Sequence, residues 1–509
     1  MSKQLPERPD LGQLKKQAKD LLEEIRAGRP EAIARANVTA GRKFALNDAQ
    51  RVIAREYGFA SWVKLKVFIE TRTIDAAEER LVEAALAGEA EIVRTILSER
   101  PALATRSAFT SATLGDRAKV VAALQGHAEF AKSKGGPRNW EPILYLCFGK
   151  CGAGDTDRAE AARALLENGA DPNASWIHPT WQESPLPALY GATGVNNYPK
   201  LARVLLEAGA NPNDGESRYH AAEHNHVACL EVLAEFNTDF SGADNIWGNT
   251  PLYFLLGYIQ PSPNVRAGIK WLLEHGANPN AMSHANDVAE TSLHAAVNQN
   301  WDEATVESLL QHGADPAIKR ADGRTAYAMA VAGGRDSLAR VLLSHGAPRE
   351  ISAVDEFLGN CMRPDADAAR DMVRGDPELL SNLSMKDRLI VILAAREGRA
   401  AALALMGELG FDLNISTNAG ERPLHWAAWH GWADAVKTLI ARGVELNARD
   451  KRFDAPPVGW CAHGSQFCAN PKGEYGVVMQ RLIDAGATVP KNTNGSAEVM
   501  AALKARGLG

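Results

Sequence analysis

Gly169-Ala170-Asp171-Pro172-Asn173 is the first of several copies of one short phrase in this chain of 509 residues. Each close copy follows an apolar helical run with paired leucines, as Leu309-Leu310 precedes Gly313. A phrase that returns at a regular interval indicates a protein built from neighbouring copies of one small unit, which favours a binding function over an enzyme core. Close copies begin at Gly209, Gly276 and Gly313, and weaker ones begin at Gly346, Gly443 and Gly486.

A second signature stands upstream of the phrase and has a physical reading. In Thr250-Pro251-Leu252 the threonine hydroxyl caps a helix, and proline fits the first helical position because no N–H is needed there. In Thr291-Ser292-Leu293-His294-Ala295-Ala296 the paired alanines let a short helix lie close to its neighbour. The glycine of the phrase then takes the left-handed conformation that ends a second helix, and Asp-Pro or Asn-Pro turns the chain into the next unit.

A helix-turn-helix-loop unit with T-P-L-H and G-A-D wording, 33 residues long from Gly313 to Gly346, resembles the ankyrin repeat. The resemblance implies an all-α solenoid of about ten or eleven helix-turn-helix units over residues 77–490. The wording departs from the repeat at 105–140, 350–385 and 450–475. The order of the chain also resembles a family of bacterial ankyrin-repeat proteins that begin with a short helical module. That family implies a fold and no assigned chemistry.

Residues 1–72 are predicted to form a separate module of three helices, because apolar residues recur at helical spacing there. The helices are expected at 11–27, 47–57 and Trp62–Glu70. On the first, the shared apolar face comprises Leu14, Ala18, Leu21, Leu22 and Ile25. At the other end of the chain, residues 491–509 are predicted to be a capping helix or a tail.

This N-terminal module has two possible functions. Its second and third helices, with Gly58 between them, have the rough pattern of a DNA-binding helix-turn-helix. The third helix offers only Lys64 and Lys66, and it has no Arg, Asn or Gln to read base edges. A cap that shields the apolar edge of the first repeat is therefore favoured over a nucleic-acid-binding head, because solenoids need such a cap.

Composition and charge limit the functional class. The net charge of −6 is uneven: residues 1–72 hold 15 Lys+Arg against 9 Asp+Glu, so the module carries +6 and the remainder −12. An acidic repeat array is suited to basic protein surfaces. The six cysteines are scattered without framework spacing, which predicts reduced thiols in a cytoplasm. No run of eighteen apolar residues and no apolar N-terminal signal region is found, so we expect no membrane association.

One string resembles a catalytic motif. His220-Ala221-Ala222-Glu223-His224 places two histidines one helical turn apart, as in an inverted zinc-protease motif, with Glu290 or Glu303 as a conceivable third ligand. The repeat offers a simpler explanation, since His220 then takes the T-P-L-H histidine position that hydrogen-bonds between neighbouring loops. We therefore expect no catalytic residue and no metal at this string.

Two groups of thiols and the glycine-rich segments also lack the pattern of a cofactor site. Cys461 with His463 and Cys468, and Cys147 with Cys151, do not supply four ligands at zinc-site spacing, and free thiols are expected. Phosphate-loop, dinucleotide-binding and nucleophile-elbow patterns are absent from the sequence. The sequence therefore predicts no cofactor and no enzyme activity.

The candidate binding residues come from the ankyrin pattern, in which the two positions after the alanine pair point into a concave groove. In the segment 425–432 these positions are Trp429 and His430, and aromatic residues commonly dominate binding energy. Alternatively, Trp429 packs beneath the segment 451–475, which reads as an insertion that covers the groove. The other predicted positions are His224 with Asn225, Gly257 with Tyr258, Asn298 with Gln299, His463, and the finger-turn pair Ile246 and Trp247.

These observations predict a protein–protein interaction scaffold that uses the groove and the loop tips. Rigid neighbouring units hold side chains in place, so little entropy is lost on binding. Two other classes stay open: an enzyme, small-molecule or metal-binding protein that uses the His/Trp-rich groove, and a nucleic-acid-associated regulator that uses the basic head. The sequence leaves the partner and the oligomeric state open.

Overall fold

A computed structural model of the chain describes residues 5, 9–37, 44–71, 73–180, 184–243, 248–284, 289–468, 470–491 and 493–508. The chain divides into two compact units, Met1–Asn278 and Pro279–Gly509. Both units are built from helices, and the described strands are limited to one short hairpin. The fold class is all-α, as the sequence predicts. None of the described helices combines the length and apolar character that a membrane span requires.

The N-terminal module has a fourth helix that the sequence did not predict. The described helices are Leu11–Arg26, Pro30–Ala36, Leu46–Glu56 and Trp62–Glu70. The additional helix, Pro30–Ala36, begins at Pro30, because proline suits the first turn of a helix. The buried core of the module comprises Leu14, Ala18, Leu21, Leu22, Ala32, Ala49, Ile53, Ala54 and Leu65.

The rest of the first unit consists of six helix pairs among the described residues. In every pair we call the earlier helix the first helix and the later one the second helix. The pairs are Ile74–Ala87 with Ala90–Glu99, Ala108–Thr113 with Arg117–Gly126, Pro142–Phe148 with Asp155–Glu167, Ala188–Tyr190 continued by the π-helix Gly191–Val195 with Pro199–Glu207, Ser217–Glu223 with Val227–Glu235, and Pro251–Tyr258 with Pro263–Glu274. Two 3-10 helices, Pro101–Thr105 and Ala128–Lys132, stand between pairs, and the antiparallel strands Ser175–Ile177 and Pro185–Pro187 pair with Trp176 opposite Leu186.

The second unit contains six further pairs in the part of the chain that the structure describes. They are Ser292–Asn298 with Glu303–Gln311, Ala326–Ala332 with Asp336–Ser344, Ala353–Met362 with Ala366–Gly375, Ile390–Arg396 with Ala400–Leu409, Pro423–Trp429 with Ala433–Ala441, and Pro457–Phe467 with Tyr475–Asp484. A short helix, Met385–Arg388, precedes the fourth of these pairs. The helix Ala497–Lys504 follows and buries Val499, Ala502 and Leu503. The described residues thus hold twelve pairs, one more than the upper end of the predicted range, because the segments with divergent wording also fold as pairs.

The recurring phrase has two structural roles: its glycine ends a helix, and its final asparagine links successive repeats. Its glycines adopt the predicted left-handed conformation, with φ of +88° at Gly169 and +88° at Gly313, which lets them end the preceding second helix. The final asparagine has a role that the sequence analysis did not assign. Asn280 donates from Nδ2 to the carbonyl of Gly313 at 2.7 Å and accepts from the amide of Asp315 at 2.8 Å. A single side chain thereby satisfies backbone groups of the next copy.

Candidate functional site

An aromatic ridge lies on two neighbouring first helices of the second unit, Pro423–Trp429 and Pro457–Phe467. The ring of Trp429 lies 5.8 Å from that of Trp460 and 5.5 Å from that of His463. His463 in turn lies 4.2 Å from Phe467, which is 67% exposed. The structure therefore brings together two of the predicted residues, Trp429 and His463, and adds Phe467 to them. We call Trp429, Trp460, His463 and Phe467 the aromatic ridge.

The ridge exists because the segment 451–475 is not an insertion, which corrects the sequence interpretation. Asp450 holds a tight turn by accepting from the amides of Arg452 and Phe453 at 2.8 and 2.7 Å, and from the indole of Trp460 at 2.9 Å. The helix Pro457–Phe467 then begins at a proline and forms the first helix of another repeat. Trp429 is half-buried and packs beside this helix. Its contacts with the segment are those of the alternative interpretation, in which Trp429 packs against residues 451–475.

His430 is less open than the sequence pattern predicts. Its Nδ1 lies 3.3 Å from the Sγ of Cys468, and its Nε2 is buried without a hydrogen-bond partner among the described residues. Burial, together with the positive charge of Arg396, lowers the pKa of His430 to about 4, so the ring is neutral at pH 7. His430 therefore packs beside the ridge, whose exposed side chains are His463 and Phe467, while Trp429 is half-buried.

A cavity of about 640 Å³ lies on the first helices of the same unit. The predicted residue Asn298 lines it, and Trp426, whose ring lies 5.3 Å from that of Trp460, connects it to the aromatic ridge. Its apolar wall includes Met329, Leu358, Leu389, Ile390, Ile392 and Leu393, and its charged lining comprises Arg320, Arg324, Arg335, Lys386, Asp387, Arg396 and Glu421. A volume of this size is in the range of ligand-binding pockets in proteins.

Two arginines of this cavity converge on one carbonyl oxygen. The backbone oxygen of Asn298 accepts from Nη2 of Arg335 at 3.1 Å and from Nη2 of Arg396 at 3.5 Å. Arg335 also pairs with Glu397 at 2.8 Å, whereas Arg396 has no carboxylate within 4.0 Å among the described residues. Burial lowers the pKa of Arg396, and the charge of Arg335 lowers it further against the opposing effect of Glu397. Two cations are thus held close together with incomplete compensation.

Arg396 is the functional candidate that the sequence analysis missed. Asn298, Arg396 and Trp429 each stand last on their first helix, so they occupy the same position in three repeats. The signal was present, because Ala394-Ala395 immediately precedes Arg396 as an alanine pair precedes Trp429. It was overlooked because the neighbouring segment 350–385 lacks the repeat wording.

The predicted residues of the first unit form a separate chain of rings. His224 is exposed and lies 6.4 Å from His220, which lies 5.5 Å from Phe254. Phe254 lies 6.4 Å from Tyr258, which is 45% exposed. The rings of His220 and Phe254 therefore stand between His224 and Tyr258. Asn225, Gly257 and Gln299 are each half-buried, and Ile246 and Trp247 lie outside the described residues.

The role expected of His220 belongs to its neighbour. The buried Tyr219 donates from its hydroxyl to the carbonyl of Asn249 at 2.5 Å, thirty residues later, and so links consecutive loops. His220 instead lies between two carboxylates, with Nδ1 2.7 Å from Glu223 and Nε2 3.3 Å from Glu216. Although burial opposes it, these carboxylates raise the pKa of His220 to about 9. An imidazole engaged at both nitrogens is held as a cation and is a poor metal ligand.

The sequence analysis also considered metal binding and DNA binding. Across the described ranges, no group of three His, Cys, Asp or Glu side chains is placed to hold a metal ion, and all six cysteines are unpaired. On the helix Trp62–Glu70 of the N-terminal module, the Nζ of Lys66 lies 3.9 Å from a carboxylate oxygen of Glu70, one turn away. A DNA-binding role for that module stays a prediction.

Comparisons with known proteins identify the repeating unit. The family profile described as "Ankyrin repeats (3 copies)" matches residues 264–355 and 361–450. The chain is similar to an E3 ubiquitin-protein ligase, KEG, of Arabidopsis thaliana, with 26% identity over 301 residues that cover 50% of this chain and 18% of the relative. It is also similar to the B-cell lymphoma 3 protein homolog of Mus musculus, with 27% identity over 216 residues, 41% of this chain and 42% of the relative.

Two further similarities were found. A putative ankyrin repeat protein of fowlpox virus, FPV232, is 31% identical over 148 residues, 28% of this chain and 29% of the relative. Among solved structures, the human ASB11 ankyrin repeat domain matches with 22% identity and a TM-score of 0.36, covering 48% of this chain and 99% of that one. The chain thus spans less than half the length of these three curated relatives.

Proposed function

Because residues 264–355 and 361–450 are ankyrin repeats, we propose that this protein binds another protein through the first-helix face of its second unit. Ankyrin repeats are in general protein-interaction modules. The observation that carries the proposal is the aromatic ridge, since Trp429, His463 and the 67% exposed Phe467 lie side by side on two adjoining helices. A cluster of large rings on a rigid surface suits an anchor for binding, because burying them releases water at little entropic cost.

The proposal places this recognition in a cytoplasm. All six cysteines are unpaired, which supports a compartment that keeps thiols reduced. The groove residues and loop tips of the first unit, including His224 and Tyr258, are secondary in the proposal because their rings do not form a comparable cluster.

The test is a photo-crosslinking capture with matched positions. The full chain carries p-benzoylphenylalanine in place of Phe467, or in place of Phe68, which is 48% exposed on the N-terminal module. Cells of the source organism expressing each protein are irradiated, and the captured protein is purified. Its affinity is then measured by calorimetry for the wild type, the Trp429→Ala/His463→Ala double variant and Lys437→Ala, an exposed change on the second helix Ala433–Ala441.

We expect capture from Phe467 and not from Phe68, and a loss of at least about tenfold in affinity in the double variant, as for hot-spot aromatics. Lys437→Ala should bind as the wild type does. Capture from Phe68 alone, or an unchanged affinity in the double variant, would remove the aromatic ridge from the recognition surface.

A further inference from the structure

The cavity beside the aromatic ridge has a surplus of cationic donors. Of its charged lining residues, Arg324 is paired with Asp355 and Asp387 at 2.6 Å each. Arg320 contacts Asp322 and Glu290, and Arg335 contacts Glu397. Each of these three cations therefore has its own carboxylate partner within the chain.

The other two cations that line the cavity, Lys386 and Arg396, have no such carboxylate partner among the described residues. Lys386 is exposed and has no ion-pair partner among the described residues. The Arg396 guanidinium donates to the Asn298 carbonyl at 3.5 Å, and the charge of Glu397, which is paired with Arg335, favours its cation without contacting it. The opposing charge is Glu421, which accepts from Thr417 at 3.2 Å. Two unpaired cations thus face one unpaired carboxylate. A half-buried guanidinium without a carboxylate in contact has lost hydration energy that an anionic ligand would restore.

Two N–H groups of the wall that lack a partner point to the same ligand chemistry. Arg335 and Trp426 line the cavity, and each has a buried side-chain N–H, Nε and Nε1 respectively, without an acceptor in the described chain. Both unsatisfied groups are donors, so a ligand rich in acceptor oxygens would complement this wall. Half-buried Leu389 and Ile390 add an apolar surface for a neighbouring side chain.

We propose that this cavity binds an acidic peptide segment, whose carboxylates meet Arg396 and Lys386 and whose apolar side chains contact Leu389 and Ile390. The proposal rests on the proposed function and specifies the chemistry of the partner. A peptide is favoured over a small anion because Trp426 continues the cavity into the aromatic ridge, so the accessible surface extends beyond one anion-sized contact. Arg396 acts here as a binding residue through its guanidinium, which suits carboxylates in bidentate geometry.

The test uses two short fluorescein-labelled peptides and the full chain. One peptide alternates glutamate with leucine and the other alternates lysine with leucine, so that they share apolar content and differ in charge. Binding is followed by fluorescence anisotropy for the wild type, Lys386→Glu, Arg396→Gln and Lys437→Glu. The last variant is a matched control, because it makes the same charge change as Lys386→Glu on an exposed second-helix position.

The Lys386→Glu variant keeps the test independent of folding, because acidic residues are favourable in the first turn of a helix, here Met385–Arg388. The wild type should bind the acidic peptide about tenfold more tightly than the basic one, and Lys386→Glu and Arg396→Gln should each weaken it about tenfold, as for desolvated charge pairs. Lys437→Glu should change the affinity less than about twofold, as expected of a distant exposed charge.

Equal affinity for the two peptides, or equal loss in Lys386→Glu and Lys437→Glu, would overturn the proposal. Inorganic phosphate, added at constant ionic strength, separates the two sources of an anion: complete displacement of the acidic peptide by phosphate would assign the cavity to a small anion instead. Failure of either kind leaves the crosslinking result at Phe467 unaffected, so the loss of this inference is distinguishable from the loss of the proposed function.

Discussion

Nη2 of Arg324 lies 2.6 Å from Oδ1 of Asp387, a residue 63 positions later in the chain. The same guanidinium donates from Nε to Asp355 at 2.6 Å. Both aspartates also close capping boxes, with Ser352 and Ser384 respectively, at the starts of two helices. Arg324, in the loop before the helix Ala326–Ala332, therefore binds the first turns of two later helices and also lines the cavity beside the aromatic ridge.

Replacing Arg324 should destabilise the second unit. Arg324→Gln leaves Asp355, which is 4% exposed, without its cation, and breaking a buried pair on one side costs about 3–5 kcal/mol. The free energy of unfolding from urea titration measures the effect. As a control, Arg374→Gln removes an exposed pair with Asp371 and should cost less than about 0.5 kcal/mol. Equal losses in the two variants would mean that the Arg324 network contributes no special stability.

Gly398 supports the position of Arg396 through contact with Trp432. A Cβ at Gly398 would lie 2.6 Å from the Trp432 ring, and the residue has a φ of +71°. Gly443 has nearly the same φ, +72°, with nothing within 4 Å of its Cβ position. Gly443→Ala should therefore cost only the left-handed strain, about 1 kcal/mol. Gly398→Ala should cost about 1–3 kcal/mol more, because the clash adds to the strain.

The difference between these two variants is read from thermal or urea unfolding of the full chain. Trp432 also donates its indole N–H to the Arg396 carbonyl at 2.8 Å, so Gly398→Ala should weaken binding of the acidic peptide as well. Identical stability of the two alanine variants would show that the Trp432 contact does not constrain this turn.

His220 should make the local stability of the first unit depend on pH. Its folded pKa of about 9 lies above the ordinary value of 6.5, because Glu216 and Glu223 stabilise the cation. A raised pKa stabilises the folded state fully below about pH 6.5, and this contribution is lost as pH rises through 9. Hydrogen–deuterium exchange in the helix Ser217–Glu223 should therefore show less protection at pH 9 than at pH 6.5, after correction for intrinsic exchange rates.

The His220→Gln variant should lose most of that pH dependence. The exposed His127→Gln change, in another repeat of the same unit, should leave it intact. If wild type and His220→Gln respond alike, the two carboxylates do not hold a proton on this ring.

The sequence predicts the repeat well because its signals are local. Threonine capping at Thr250, which accepts from the Tyr253 amide at 3.1 Å, and the left-handed glycines depend on neighbouring residues only. The predicted third helix, Trp62–Glu70, agrees with the structure for the same reason, since Ser61 caps it by accepting from the Lys64 amide. By contrast, the repeats at 350–385 and 450–475 have no phrase to mark them and depend on packing against their neighbours.

The candidate site was predicted only in part, because it depends on contacts between repeats. The ankyrin pattern led to Asn298, which is exposed and lines the cavity, and to Trp429, which is half-buried in the aromatic ridge, and their part in binding stays a prediction. The convergence of Arg335 and Arg396 on the Asn298 carbonyl joins residues 37 and 98 positions away, which no local pattern reports. The burial of His430 likewise depends on Cys468, 38 positions later.

Hydrogen–deuterium exchange of the full chain, alone and with the purified protein captured from Phe467, tests the recognition surface most directly. The account predicts new protection in the first helices Pro423–Trp429 and Pro457–Phe467, and in Ile390–Arg396 beside the cavity. Protection confined to second helices such as Ala433–Ala441, or to residues 1–278, would contradict it.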